Sequence, residues 1–279
     1  MKRIDEVGKD FDSYAEKWAA EKYKGNVFKT GPKVEHELSF PGDEWGERVK
    51  LIENYEPIFR KCVGKKPVRI LEIGSGTGRL TSVLLENFDE KIEHIHTADV
   101  SEGMTNQLIK RIGNHSKLTT HIIDKQNLSF EPNSFEMVIS QSCWSHISAY
   151  HQYIYLRDLR KLITKGGYLV VIGIFLTGFG VNWTWDNFRR RIHQIDRNIE
   201  GVYHEFIGAT ELAECLARLG WKGRAFFPNG FIAQYTHENR EIMHRDWSKI
   251  PEHYKQIPYF HNPTDYGLNQ ARGSIDLLR

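Results

Sequence analysis

The stretch Val68-Arg-Ile-Leu-Glu-Ile-Gly-Ser-Gly-Thr-Gly-Arg-Leu-Thr81 decides the fold. An apolar run ends in Glu72-Ile73, glycines follow at 74, 76 and 78, and a helical pattern starts at once. This reads as a strand, a tight turn and a helix N-terminus. Glycine there admits positive φ and lets the backbone approach a ligand with no Cβ between them. The free N–H groups of the helix behind the turn suit a polar or anionic ligand end. A dinucleotide fingerprint reads G-x-G-x-x-G with a carboxylate about 20 residues later. Here the spacing is G-x-G-x-G with Glu72 inside the strand, which departs from the nicotinamide pattern. An ordinary strand-to-helix turn shares these features, so the reading depends on the segments downstream of Thr81.

Ile92-Glu-His-Ile-His-Thr-Ala-Asp-Val100 reads as a second buried strand ending in Asp99, a carboxylate able to accept from both hydroxyls of a ribose. Ser101-Glu-Gly-Met104 opens a helix with Ser101 at its N-cap. A third strand, Leu118 to Ile123, leads into Asp124-Lys-Gln-Asn-Leu-Ser-Phe130. Residues Pro132 to Gln141 read as a turn and fourth strand, and Leu159 to Ile172 as a helix, a turn and a fifth strand. Alternation of this kind predicts a parallel sheet with right-handed crossovers and helices on both faces. Farther on, Ala209 to Leu219 is helical. Trp221 to Phe227 and Gly230 to Tyr235 are short strands joined through Asn229-Gly230, a strong hairpin cue.

These segments together resemble the class I S-adenosylmethionine-dependent methyltransferases. Residues 71–78 look like that family's L-E-(I/V)-G-x-G-x-G motif. Residues 124–130 resemble its D-A-x-x-L-P-F segment, with Lys125 in place of the usual alanine. Residues 132–138 resemble x-x-S-F-D-x-V, with Glu136 for the aspartate, and Thr164-Lys-Gly-Gly167 stands where K-P-G-G is usual. The resemblance implies a Rossmann-like, doubly wound α/β fold with a seven-stranded sheet of order 3-2-1-4-5-7-6. It implies S-adenosylmethionine as cofactor, held by Glu72, Gly74, Ser75, Gly76, Gly78, Asp99, Val100, Met104, Asp124, Lys125 and Gln141. In this picture Met104 packs on the adenine, Asp124 accepts from its amino group, and only the main chain of Lys125 takes part. Read alone, Met104 would equally be a core side chain.

The chain has 279 residues, with 40% hydrophobic and 27% charged, the balance of a globular domain. Its net charge is +2 with both signs interspersed, so no nucleic-acid partner is expected. The longest apolar run, Tyr168 to Leu176, is far short of the about 20 residues that span a bilayer, so no membrane role is expected. Met1 to Glu6 shows no apolar core of a secretory signal. Three widely spaced cysteines, 62, 143 and 215, fit reduced thiols and a cytoplasmic location. Cys143 is either a packing residue or a pocket liner.

Residues 1–66 are expected to form a helical lid segment ahead of a cofactor-binding core at 67–236. In the N-terminal part, 11–20 carries a helical stripe, 26–45 reads as loop and turns, and 49–63 is helical again. The second helix could equally pack on the sheet. Tyr14, Trp18 and Trp45 are assigned to the lid and the acceptor. After the fifth strand the pattern breaks into a polar and aromatic insert, 177–206, expected to cap the substrate. A C-terminal extension, 237–279, is not placed by its sequence.

Ligands of open α/β sheets lie at the carboxyl ends of the strands, at the switch point between the first and fourth strands. Ser140-Gln-Ser-Cys-Trp-Ser-His-Ile147 leaves the fourth strand at that point, so Trp144 is expected to line the acceptor site. His146, with an ordinary pKa of about 6.5, could take a proton from a hydroxyl or ammonium acceptor. The rate would then rise through a pKa near that of free histidine. In similar small-molecule methyltransferases this histidine faces the acceptor in some and packs on the next helix in others. Arg189, Arg190 and Arg191 cannot all face one way. They form a solvated face or, with Arg189 and His193 turned inward, a clamp for an anionic acceptor. The 13 histidines show no H-x-x-x-H spacing, so no metal is expected.

The expected activity is methylation of a small-molecule acceptor. A hydroxyl of a sugar, glycan precursor or natural product comes first and a small amine second. Trp45-Gly46 and the Trp-Ser-His-Ile loop resemble methyltransferases of surface-polysaccharide and secondary-metabolite pathways. An RNA or protein methyltransferase is disfavoured by the lack of an N-P-P-Y-type motif and of a basic patch. A non-catalytic module is disfavoured by the intact glycines and carboxylates. The oligomeric state is not fixed by the sequence, and a homodimer is compatible with it.

Overall fold

The computed structural model describes residues 4–13, 15–19, 23–26, 33–38, 48–123, 128–172, 209–227 and 230–236. In chain order the elements are α1 (Ile4–Asp12), α2 (Ala15–Ala19), β1 (Tyr23–Asn26), β2 (Lys33–Leu38), α3 (Arg48–Cys62), β3 (Val68–Ile73), α4 (Arg79–Asn87) and β4 (Ile92–Asp99). They continue with α5 (Glu102–Ile112), β5 (Leu118–Ile122), β6 (Phe135–Gln141), α6 (Ala149–Leu162), β7 (Ile163–Ile172), α7 (Ala209–Arg218), β8 (Trp221–Phe227) and β9 (Gly230–Tyr235).

The main sheet runs β5-β4-β3-β6-β7-β9-β8. Counted from β3 this is the order 3-2-1-4-5-7-6, the Rossmann-like methyltransferase sheet. Strands β3 to β7 pair in parallel, and β9 closes antiparallel between β7 and β8. Five of the six residues of β3 are buried, with no alternation, because helices cover both faces of its sheet. On one face Tyr55, Ile58 and Phe59 of α3, with Val63 just beyond it, meet Leu80, Val83 and Leu84 of α4 over Ile70, Ile95 and Met137. On the other, Tyr155, Leu156 and Leu159 of α6 join Leu212 and Leu216 of α7 around Trp144 and Trp221. At the amino ends of β3 and β6, Arg69 and Glu136 form a bidentate pair, with Nη2 to Oε1 at 2.7 Å and Nε to Oε2 at 3.2 Å. Glu136, the departure from the family pattern, thus ties two strands together at the end of the sheet opposite the glycine turn.

Three local expectations are corrected. The N-terminal helical stripe forms two helices, α1 starting earlier and α2 following a break near Ser13. The stretch 26–45, read as loop and turns, contains β2, which pairs antiparallel with β1 in a small separate sheet. Its Gly-Pro and Pro-Gly pairs outweighed the weak alternation of Lys33-Val-Glu-His-Glu-Leu38. The turn expected at Thr164–Gly167 lies within β7, where Gly166 at φ 82° and a register shift absorb the irregularity. Helix α3 packs on the sheet, which answers the alternative left open for it. Tyr14, Trp45, Asp124, Lys125, Arg189, His193, the insert 177–206 and the extension 237–279 lie outside the described residues.

Candidate functional site

The carboxyl ends of β3, β4 and β6 converge on the glycine turn. Gly74, Gly76 and Gly78 have φ of 71°, 54° and 77°, so each needs the left-handed region. Their surroundings differ. A Cβ on Gly74 would collide with Sγ and Cβ of Cys143, and one on Gly78 would lie 2.6 Å from Leu108 Cγ. A Cβ on Gly76 would meet no atom of the described residues within 4 Å. The outer two glycines serve internal packing, while the middle one borders open space. Beside it Ser75 Oγ is buried with no hydrogen-bond partner among the described residues. A polar atom so placed is satisfied by a ligand or water.

Asp99 closes the turn from β4. Its Oδ2 accepts the Gly76 N–H at 2.8 Å and its Oδ1 accepts the Ser101 N–H at 2.9 Å. A carboxylate accepts about four bonds, so beside its backbone donors capacity remains for a ribose hydroxyl. Burial raises the Asp99 pKa, and backbone donors at Ser101, Gly76 and Val100 oppose that rise. Ser101 is the N-cap of α5, as expected, its Oγ accepting the Met104 N–H at 3.0 Å. Met104 itself is buried.

Glu72 is almost wholly buried and accepts the Thr81 hydroxyl on Oε2 at 2.7 Å. Desolvation pushes its pKa up to about 8 against that hydrogen bond, so it is mainly a neutral acid at pH 7. Tyr55 of α3, buried and raised in pKa by desolvation and by Glu72, donates to Gln141 Oε1 at 3.3 Å. In the sequence Tyr55 is one position of the helical stretch 49–63. No sequence signal pointed to its hydroxyl.

Beyond Gln141 the chain turns sharply. Ser142 has φ 54°, and its N–H donates to the Ile172 carbonyl at 2.7 Å. A single 3-10 turn, Trp144–His146, follows. Residues two apart in such a turn face different sides, and here Trp144 goes inward. Its indole is fully buried near Tyr155 and Phe231. This corrects its assignment to the acceptor wall. Gln152 fastens the turn by donating to the carbonyls of Trp144 and Ile147 at 2.9 and 2.8 Å. Cys143, whose thiol burial pushes up to about 12, packs on Gly74 as an inert wedge.

His146 leaves the turn on the other side, part exposed, with its ring edge-on to Phe11 of α1 at 5.0 Å between centroids. Desolvation lowers its pKa to about 4, so the imidazole is neutral throughout the physiological range. Were this ring to act as the base, the expected profile is flat above about pH 5 and does not rise near the ordinary histidine value.

Helix α1 reaches both the turn after β6 and the start of α5. Phe11 meets His146, and Asp12 Oδ1 accepts the Ser101 hydroxyl at 2.6 Å and the Gly103 N–H at 2.8 Å. Gly8 lies close against Val100, where a Cβ would approach the carbonyl oxygen to 2.7 Å. Trp18, on α2, is half-buried. Neither Phe11 nor Asp12 was singled out by sequence, since both are ordinary members of an amphipathic stripe.

Residues 70–167 match a family model described as a methyltransferase domain. A malonyl-[acyl-carrier protein] O-methyltransferase of Geobacter sulfurreducens is 24% identical over 164 residues, 59% of this chain and 59% of that protein. A polyketide synthase-nonribosomal peptide synthetase of Aspergillus clavatus is 24% identical over 224 residues, 76% of this chain and 5% of that protein. The chain thus spans less than two thirds of either curated relative. Among solved structures, a phosphoethanolamine N-methyltransferase 2 of Haemonchus contortus in complex with S-adenosyl-L-methionine has a TM-score of 0.47 at 17% identity, over 81% of this chain and 47% of that one. A methyltransferase of Methanosarcina mazei has a TM-score of 0.49 at 16% identity, over 65% of this chain and 98% of that one. No described helix is long and apolar enough to cross a membrane.

Proposed function

We propose that this chain, an S-adenosylmethionine-dependent methyltransferase whose residues 70–167 are the family's methyltransferase domain, methylates a hydroxyl of a small-molecule acceptor. The acceptor class we assign is a sugar, glycan precursor or natural product. The observation that carries this reading is the place of His146, on the turn that leaves β6, with its ring edged by Phe11 of α1. The cofactor supplies an electrophilic methyl group on a sulfonium. The glycine turn, the Ser75 hydroxyl and Asp99 fit its nucleoside and amino-acid ends, a reading supported by the open space at Gly76 and by a Ser75 Oγ with no partner among the described residues.

The protein's own contribution is alignment, exclusion of water and management of one proton. An acceptor oxygen must sit about 3 Å from the methyl carbon, in line with the breaking bond. A neutral imidazole can accept a hydrogen bond from the hydroxyl before reaction. The proton becomes strongly acidic only as the C–O bond forms, so even a base as weak as His146 takes it then. Phe11 and α1 shield that exchange from solvent, the lid role we assign to the N-terminal segment. Within that segment, Tyr14, Trp18 and Trp45 are assigned to the acceptor side. Asp124, the Lys125 main chain and Gln141 are assigned to the cofactor, and Arg189 and His193 to a cap over the acceptor.

A labelled-methyl transfer assay against hydroxyl, amine and carboxyl acceptors tests the reading, with His146→Ala beside the native chain. Hydroxyl acceptors should turn over, and the variant should lose that activity while keeping cofactor affinity. A second reading has one observation in its favour: the Geobacter relative is named an O-methyltransferase of malonyl-[acyl-carrier protein]. A carboxylate acceptor carries no proton to remove. Turnover of carboxyl acceptors that is indifferent to His146→Ala would replace the hydroxyl reading by this one.

A further inference from the structure

Asp12 is a polar residue at the end of a short helix, yet it makes two hydrogen bonds to chain 89 and 91 residues away. Its Oδ1 accepts from the Ser101 hydroxyl and the Gly103 N–H, two donors in the first turn of α5. The helix therefore has a second cap supplied from outside, above its own N-cap serine. Ser101 is pinned at three points. Its hydroxyl is held by Asp12, its Oγ takes the Met104 N–H, and its own N–H donates to Asp99 Oδ1. The other oxygen of Asp99 holds the Gly76 N–H. An unbroken chain of hydrogen bonds thus runs from the N-terminal helix through Ser101 and Asp99 into the glycine turn. Gly8 marks a second, independent seat, since α1 approaches the Val100 carbonyl too closely for any side chain.

We propose that Asp12 is a positioning residue for the cofactor. By clamping Ser101 it fixes the N–H that orients the Asp99 carboxylate, and the same contact fastens α1 over the cleft. The inference rests on Asp99 meeting the cofactor's ribose. Cofactor binding and closure of α1 then share one set of bonds, and each favours the other.

Calorimetric titration of the full chain with S-adenosylhomocysteine tests this, using Asp12→Ala, Asp99→Ala and the double variant. Asp12→Ala should raise the Kd about tenfold through loss of the outside cap. Asp12→Asn keeps an acceptor oxygen in place and should stay within about threefold of native. In the Asp99→Ala background Asp12→Ala should add nothing, because both residues act through one path. A role confined to stability would not produce that non-additivity. Gly8→Ala displaces α1 with Asp12 intact, should weaken binding in the same direction, and serves as the test if Asp12→Ala does not fold. A weakened Asp99→Ala beside unchanged Asp12→Ala and Gly8→Ala overturns the proposal alone. An equal loss from Asp12→Ala in both backgrounds also overturns it. Unchanged affinity in Asp99→Ala removes the ribose assignment and the proposal together.

Discussion

Replacing Glu72 by Gln should make the protein more stable at alkaline pH while leaving it nearly unchanged in acid. Burial favours the neutral acid, moving the pKa from 4.5 to about 8. Above the ordinary value the unfolded chain has released a proton that the folded chain still binds. Stability therefore falls as pH rises from there toward the folded value, and levels off beyond it. The whole shift corresponds to about 5 kcal/mol, of which about 3 kcal/mol falls between roughly pH 5.5 and roughly pH 8.5. Glutamine resembles the protonated acid in shape, keeps an oxygen for the Thr81 hydroxyl and has no charge to bury. Thermal melts of native and variant protein at both pH values isolate this group from all other titrations. The native chain should lose roughly 6–12 °C more than Glu72→Gln over that interval. Parallel pH profiles would refute the reasoning, because they would mean that Glu72 titrates alike in the folded and unfolded chain.

His146→Ala should lower turnover of a hydroxyl acceptor by about 10²–10⁴ with cofactor Kd retained, and the native rate should stay flat above about pH 5. A rate rising through neutrality would place the ring in water and sink the desolvated picture. Gly74→Ala should cost about 1–3 kcal/mol in chemical denaturation, from its positive φ and from Cys143, and Cys143→Gly in the same chain should return part of that loss. Strict additivity of the two changes would show that they do not touch. Trp144→Ala should cost about 3–5 kcal/mol by opening a core cavity. A stable variant with only a raised acceptor KM would return Trp144 to the pocket wall.

The sheet was legible because its central strands β3, β6 and β7 are largely buried on both faces. Ile70-Leu71 and Val170-Val171 are continuous apolar runs, and Glu72 and Asp99 stand at strand ends where burial and ligand compete. Glycines at alternate positions marked the turn, although their division of labour depends on Cys143 and Leu108, which are distant in sequence. Sequence reasoning missed side-chain direction in irregular backbone. Trp144 and His146 are two residues apart, and only the left-handed Ser142 decides which of them faces the core. Asp12 and Phe11 were illegible for a related reason. Their partners lie across the cleft, and nothing near them in the chain records that contact.

The span between Asp12 and Ser101 also bears on the order in which the molecule assembles. Closing a loop of that length from a free chain costs on the order of 4 kcal/mol in entropy. The two hydrogen bonds of Asp12 cannot offset that alone. Pairing of β3 with β4 and growth of α5 must first bring Asp99 to Gly103 into place, and only then does α1 find a surface to dock on. Helix α1 is thus among the last of the described elements to become fixed. By the same reasoning it is among the first to detach. Amide exchange in Ile4–Asp12 should be governed by local opening, while that of Val68–Ile73 waits for unfolding of the whole sheet. Helix α1 can then come away with the central strands undisturbed.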